Sequence, residues 1–191
     1  MPLTIRISML ISGCFMISEL LLVLVKNSWS EKVEKRNDRG SLILLWIAIT
    51  LGMTAGFMFA HGPHPAWTKP DYITAWTGIL ITLPGFVIRW ISILQLKKGF
   101  TVNVSITESH MLKTDGLYGI VRHPSYSGLL LIITGEAVSM VNLISFVALT
   151  VPVLLALVYR ISIEEKLLRS YFGDKYLEYS KKTKRLIPFI Y

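Results

Sequence analysis

Between two strongly apolar regions lies the stretch Gly116-Leu117-Tyr118-Gly119-Ile120-Val121-Arg122-His123-Pro124-Ser125-Tyr126-Ser127-Gly128. It holds an arginine, a histidine, a proline, two tyrosines and three glycines, a mixture that a plain connector between apolar helices does not need. Arginine can hold a carboxylate or phosphate through two parallel hydrogen bonds. Tyrosine and histidine can pack against a purine. A second group, Arg160, Glu164 and Glu165, follows. Arg160 and Glu164 are four apart and share one helix face. A lone pair of that kind contributes only about 0.3–0.5 kcal/mol, but glutamate also accepts hydrogen bonds from hydroxyls or an amine. Together the two groups suit a ligand with a polar, nucleoside-like half and a reaction partner with an apolar tail, met at a membrane–water boundary.

The elements that position these residues are apolar. Hydrophobic residues make up 52% of the 191-residue chain and charged ones 17%, too apolar for an ordinary soluble domain. The spacing predicts an all-α, polytopic membrane protein of one domain, residues 1–191. Its spans are expected at 3–25, 41–60, 73–95, 126–140 and 143–162. The last two form a helical hairpin turning at Ser139-Met140-Val141-Asn142, because one helix over 126–162 would overshoot a bilayer of about 30 Å at 1.5 Å per residue. The first run is about 23 residues long with no small-residue cleavage pattern after it, and reads as a retained span rather than a signal peptide. Segment 26–40 reads as a loop with a short surface helix. Gly52, Ala55 and Gly56 are small enough to let a neighbouring helix approach closely. Pro84-Gly85 should kink the third span. Past the membrane, 160–172 continues the fifth helix, Gly173 stops it, and Asp174 caps a final amphipathic helix. The segments carrying the site are 100–126 and 160–191.

Charge sets the topology. The net charge is +8. The basic residues cluster between and after the apolar runs, which points to anionic headgroups and to cytoplasmic loops rather than to nucleic acid. With the N-terminus outside, loops 26–40 and 97–125 and the tail from Arg160 share one face and hold seventeen of the twenty basic residues. That face is read as cytoplasmic, and it carries both groups of candidate site residues. Glu19 and Arg89 lie inside apolar runs: Glu19 either reaches the interface or pairs with a basic group, and Arg89 either snorkels or faces an internal polar cavity. The single cysteine, Cys14, excludes an intrachain disulfide and a cysteine-based metal site. His61 and His64 stand in a proline-rich turn without a third ligand, and no metal is expected there.

The pattern Gly116-x-Tyr118-x-x-x-Arg122-His123-Pro124-x-Tyr126-x-Gly128, then Glu164-Glu165-x-x-Leu168-x-x-x-Phe172-Gly173-x-x-Tyr176-x-x-Tyr179, then Arg185-x-x-Pro188, closely resembles the isoprenylcysteine carboxyl methyltransferase family, in its compact prokaryotic form. The resemblance runs from Phe100 onward; the first two spans share only their apolar character. It implies an integral membrane enzyme that uses S-adenosylmethionine, releases S-adenosylhomocysteine and has no Rossmann domain. By resemblance the cofactor is held by His110, Met111, Leu112, Lys113, Tyr118, His123, Pro124, Ser125, Tyr126, Glu164 and Glu165, with Ser105 or Asn103 as an upstream polar contact. Arg160 falls where the family engages the substrate carboxylate, and Arg160 and Glu164 are the residues on which catalysis is expected to depend. A carboxylate is ionised at neutral pH, so methyl transfer to it requires no general base. The implied partners are a lipophilic or prenylated substrate and membrane lipids.

Three rival readings share some of these residues. Membrane sterol-type reductases that use NADPH carry a similar Tyr-x-x-x-Arg-His-Pro-x-Tyr pattern, in chains that are usually longer. Phospholipid N-methylation shares the methyl donor, but a neutral amine is an odd partner for Arg160. A non-catalytic lipid-binding subunit would leave the clustered polar residues at one face without a use.

Overall fold

Apolar runs form helices, and caps or breakers end them. The computed structural model describes residues 3–28, 33–36, 40–61, 72–96, 105–107 and 111–191. Its helices are α1 (Leu3–Ser28), α2 (Ser41–His61), α3 (Tyr72–Leu96), α4 (Pro124–Ser139), α5 (Leu143–Phe172) and α6 (Asp174–Lys182). Three of these are long and apolar enough to cross a membrane: Ser41–Ala60, Tyr72–Leu96 and Leu143–Phe172. The 16 residues of α4 make about 24 Å of helix at 1.5 Å each.

The boundaries have local causes. Pro124 opens α4, where its fixed φ is favourable and its missing N–H is not needed. The turn between α4 and α5 places Val141 at φ 51°, and the Asn142 side chain accepts a hydrogen bond from Ser145 N at 3.0 Å, capping α5. Gly173, at φ 54°, ends α5 and is itself the N-cap of α6. Asp174 is therefore the first helical residue and not the cap, since the glycine turns the chain directly into the next helix. α3 is continuous through the exposed Pro84.

Two short strands depart from the all-helical expectation. Val33–Arg36 (β1) and Ser105–Thr107 (β2) pair antiparallel. Residues 33–36 are thus extended, where a short surface helix was predicted. Bringing the two connecting segments together lets their main-chain groups satisfy one another, and β-branched Val33, Ile106 and Thr107 suit an extended backbone.

Close backbone approach fixes the helix pairs. α3 and α4 share the most extensive interface. A Cβ added at Gly128 would lie 2.7 Å from Arg89 N and from Gly85 O, and one at Gly85 would lie 2.8 Å from Gly128 O and Ile132 N. Only glycine admits that contact. α2 packs against α5 less tightly, with Gly52 facing Leu149 and Gly56 facing Ser145 and, in the turn before α5, Met140. The core lies where α2, α4 and α5 meet, around Ile49, Ile132, Ile133, Leu149, Val153 and Leu157.

Both charges singled out inside apolar runs of the sequence turn inward. Arg89 donates from Nε to Glu19 Oε1 at 2.5 Å and from Nη2 to Glu19 Oε2 at 2.6 Å, and both residues are buried. Glu19 is therefore paired, and Arg89 faces the interior. Glu136, also buried, accepts from Ser8 Oγ at 2.6 Å and Ser12 Oγ at 2.9 Å, which ties α1 to α4.

Candidate functional site

The site begins with a turn that three elements hold in place. Gly116 takes φ 61° and starts the 3₁₀ turn Gly116–Gly119. α3 supports this turn from one side: Leu117 N donates to Gln95 Oε1 at 3.1 Å, and the Tyr118 hydroxyl donates to Ser92 O at 3.3 Å. α6 supports it from another, with the Tyr179 hydroxyl donating to Tyr118 O at 2.6 Å. The chain after α6 lies beneath Arg122 and His123. Arg122 N donates to Lys184 O at 2.7 Å and His123 N to Arg185 O at 3.0 Å, and Ser127 Oγ donates to Leu186 O at 2.6 Å.

His123 and Tyr126 then project from the start of α4, their rings stacked with centroids 5.6 Å apart. Tyr126 is the link to α5. Its hydroxyl accepts from Arg160 Nε at 2.9 Å and donates to Glu164 Oε2 at 2.8 Å. Arg160 Nη1 also donates to Ser41 Oγ at 2.9 Å, which brings the N-terminus of α2 to the site. The imidazole of His123 lies between two carboxylates: Nδ1 is 3.9 Å from Glu164 Oε2 and Nε2 is 3.6 Å from Glu165 Oε1.

The adjacent glutamates have different surroundings. The Glu165 side chain is 4% exposed and is held by two arginines. Arg122 Nε reaches its Oε1 at 2.9 Å, and Arg185 reaches its Oε2 from Nη2 at 2.8 Å and from Nε at 3.1 Å. Arg122 also donates to the main-chain oxygens of Ser180 and Thr183. The Arg122–Glu165–Arg185 cluster therefore ties α5, the turn and the tail together. Arg122, read from sequence as a cation for the site, faces this cluster. The Glu164 side chain is 30% exposed. Among the described residues its Oε2 carries the hydrogen bond, and Oε1 is left to accept a further one.

Of the predicted site residues, the structure gathers His123, Tyr126, Arg160, Glu164 and Glu165 at one place, with Tyr118 buried alongside. Pro124 serves as the start of α4. Ser125 is buried and turned away from Glu164; its carbonyl and hydroxyl accept from Arg89 Nη1 at 3.2 and 3.1 Å. Met111, Leu112 and Lys113 lead into the turn, and Lys113 pairs with Asp115 at 2.9 Å. His110 and Asn103 lie outside the described residues, as does His64; Ser105 is described only as part of β2, and His61 only as the last residue of α2.

Sequence reading missed the Tyr126 bridge, because four-residue spacing on α5 points to direct Arg160–Glu164 pairing and carries no information about a hydroxyl from α4. It also missed Ser41 and the double arginine clamp on Glu165. Arg185 was visible as part of a motif, but its partner was not.

Burial pushes the phenols of Tyr118 and Tyr176 upward, and that of Tyr179 up to about 12. These hydroxyls are neutral across the physiological range, and those of Tyr118 and Tyr179 act as hydrogen-bond donors.

Comparison with known proteins gives a consistent result. Residues 76–170 match the family model described as the isoprenylcysteine carboxyl methyltransferase family. Protein-S-isoprenylcysteine O-methyltransferase B of Arabidopsis thaliana is 36% identical over 149 residues, covering 77% of this chain and 73% of the plant protein. A probable protein-S-isoprenylcysteine O-methyltransferase of Oryza sativa subsp. indica is 34% identical over 124 residues, and the match spans 65% of its length and 64% of this chain. Among solved structures, the eukaryotic intramembrane Ras methyltransferase of the same name superposes with a TM-score of 0.63 at 28% identity, over 76% of this chain and 52% of that one.

Proposed function

The chain belongs to the isoprenylcysteine carboxyl methyltransferase family, and we propose that it is an S-adenosylmethionine-dependent membrane methyltransferase acting on the carboxylate of an isoprenylcysteine-like substrate. The observation that carries this reading is the Tyr126 hydroxyl, which joins a cation, Arg160, to a carboxylate with an open oxygen, Glu164. One group suits an anionic acceptor, the other suits the hydroxyls of a nucleoside, and one side chain sets their spacing.

The residues present fit a nucleoside cofactor. Glu164 Oε1 can accept from ribose hydroxyls. The His123 imidazole presents Nδ1 toward Glu164 Oε2 at 3.9 Å and Nε2 toward the buried Glu165 at 3.6 Å, so its ring is held at the edge of the open carboxylate. The stacked His123 and Tyr126 rings provide a flat aromatic flank. When bound, S-adenosylmethionine supplies an electrophilic methyl group. Glu164, His123 and Tyr126 would hold it, with Met111 to Lys113, Tyr118 and His110 of the preceding segment completing the pocket. Glu165, Pro124 and Ser125 act one layer back: Glu165 fixes Arg122 and the tail, and Ser125 and Pro124 set the direction of α4.

Arg160 would orient the acceptor carboxylate. Arg160 already donates to the hydroxyls of Tyr126 and Ser41, which fixes its guanidinium at the site, and a guanidinium matches the planar geometry of a carboxylate. The acceptor is already anionic, so this chain has no proton to remove; its residues align the two reactants and exclude water from the nucleophile. The apolar tail would lie among the helices, with five spans crossing the bilayer and the site on the cytoplasmic face. Family membership does not favour the sterol-type reductase reading, and the guanidinium at the acceptor position argues against an amine nucleophile.

The test is methyl transfer from a labelled donor to a farnesylated cysteine compound. Arg160→Ala is expected to abolish turnover while leaving most affinity for S-adenosylhomocysteine. Glu164→Ala is expected to weaken that affinity itself, and Tyr126→Phe to impair both. Normal methylation by the Arg160 and Glu164 variants would overturn the assignment.

A further inference from the structure

The segment after α6 closes into a small loop that presents apolar side chains outward. Leu186 N and Ile187 N donate to the main-chain oxygen of Tyr191 at 2.7 and 2.8 Å, and Ile190 N and Tyr191 N donate back to Ile187 O at 3.2 and 3.1 Å. Arg185 braces the loop, donating to the Tyr191 hydroxyl at 3.0 Å with its guanidinium 5.3 Å from that ring. Leu186 turns inward and is buried. Phe189 is 94% exposed, Ile190 75% and Ile187 44%. Phe189 also sits at φ 67°, an unfavourable conformation for a bulky residue. A braced, strained loop that displays three large apolar side chains is an unfavourable arrangement in water.

Its depth and its charge explain it. Ser127, on the first turn of α4, donates to Leu186 O at 2.6 Å, which puts the loop level with the point where α4 enters the apolar layer. The adjoining chain carries Lys175, Lys181, Lys182 and Lys184, all exposed, against the acids Asp174 and Glu178. Basic residues beside exposed aliphatic and aromatic ones are the pattern of an interfacial anchor. We infer that the loop 186–191 seats in the headgroup–acyl boundary of a bilayer carrying anionic lipids, with Phe189 and Ile190 inserted and Lys181, Lys182 and Lys184 against the headgroups. Because Lys184 O and Arg185 O hold the main chain of Arg122 and His123, the anchored segment is also the floor of the site.

The test uses the full chain in vesicles of phosphatidylcholine with phosphatidylglycerol, and of phosphatidylcholine alone. Phe189→Cys in a Cys14→Ala background carries an environment-sensitive fluorophore, with Glu178→Cys as the solvent-facing control. Inserted, the probe at 189 shifts to the blue, is quenched by lipids brominated near the top of the acyl chain and is shielded from aqueous iodide, while the probe at 178 is not. Lipid quenching should be stronger in the anionic vesicles. Ile190→Cys repeats the measurement in case labelling at 189 disturbs the loop. Iodide quenching at 189 and 190 equal to that at 178, with no quenching by brominated lipid, overturns the anchor; lipid quenching equal in both vesicle types overturns the role of charge. The readout needs no methyl transfer, so its failure would leave the proposed reaction standing.

Discussion

Replacing Glu19 by alanine strands a cation inside the bundle. Arg89 would lose its contacts at 2.5 and 2.6 Å and keep only the Ser125 carbonyl and hydroxyl at 3.2 and 3.1 Å. Removing one partner of a buried ion pair costs about 3–5 kcal/mol, whereas replacing both by apolar residues of similar volume is often neutral or stabilising. Glu19→Ala should therefore lower the unfolding free energy by about 3–5 kcal/mol, a large share of a typical total of about 5–15 kcal/mol. The double variant Glu19→Leu with Arg89→Met should return to within about 1 kcal/mol of the parent. Denaturant titration in detergent micelles, followed by tryptophan fluorescence, measures both. The site should not recover with the fold. Without Arg89, the Ser125 carbonyl loses a donor between His123 and Tyr126. A hydrogen bond to a charged group contributes about 1.5–3 kcal/mol, so S-adenosylhomocysteine should bind the double variant roughly tenfold or more weakly. A single variant as stable as the parent, or a double variant no more stable than the single, would refute the view that Glu19, Arg89 and Ser125 form one buried unit that aims the start of α4.

Two further outcomes follow from the geometry. Gly128→Ala places a methyl 2.7 Å from Arg89 N and Gly85 O; both contacts are backbone, so α3 and α4 must separate, at a cost of about 1–3 kcal/mol, seen as a lower denaturation midpoint, whereas alanine at Gly13, a helical position with nothing within 4 Å, should leave the midpoint level or slightly raised. Burial raises Tyr179 from 10.0 to about 12 and moves Tyr118 and Tyr176 in the same direction; the folded state holds these protons more tightly, so their stabilisation is complete below pH 10 and declines as pH rises from about 10 through 12. Tyrosinate absorbance should therefore lag behind that of free tyrosine and appear together with unfolding, and early, independent ionisation of all three would contradict the burial described.

The sequence by itself determined most of the helical elements and pointed to the candidate site residues. Apolar runs of membrane length have few other structures available, because main-chain groups in hydrocarbon must be satisfied within the segment. The Arg-His-Pro turn and the Glu164-Glu165 pair were legible from residue types too polar for their apolar setting, and their placement on a common face followed from the distribution of lysine and arginine. Glu19 and Arg89 were visible as anomalies, but with two outcomes open for each.

Tertiary structure decided the pairings. Glu164 and Glu165 are neighbours with equivalent chemistry, and only the fold leaves one with an accessible oxygen while clamping the other between Arg122 and Arg185. Tyr126 bridges Arg160 and Glu164 because α4 packs beside α5, and Arg89, paired to α1, holds the first turn of α4 through Ser125. Local periodicity specifies which face of a helix is apolar. It does not specify which partner lies opposite, because that depends on contacts between residues tens of positions apart in the chain.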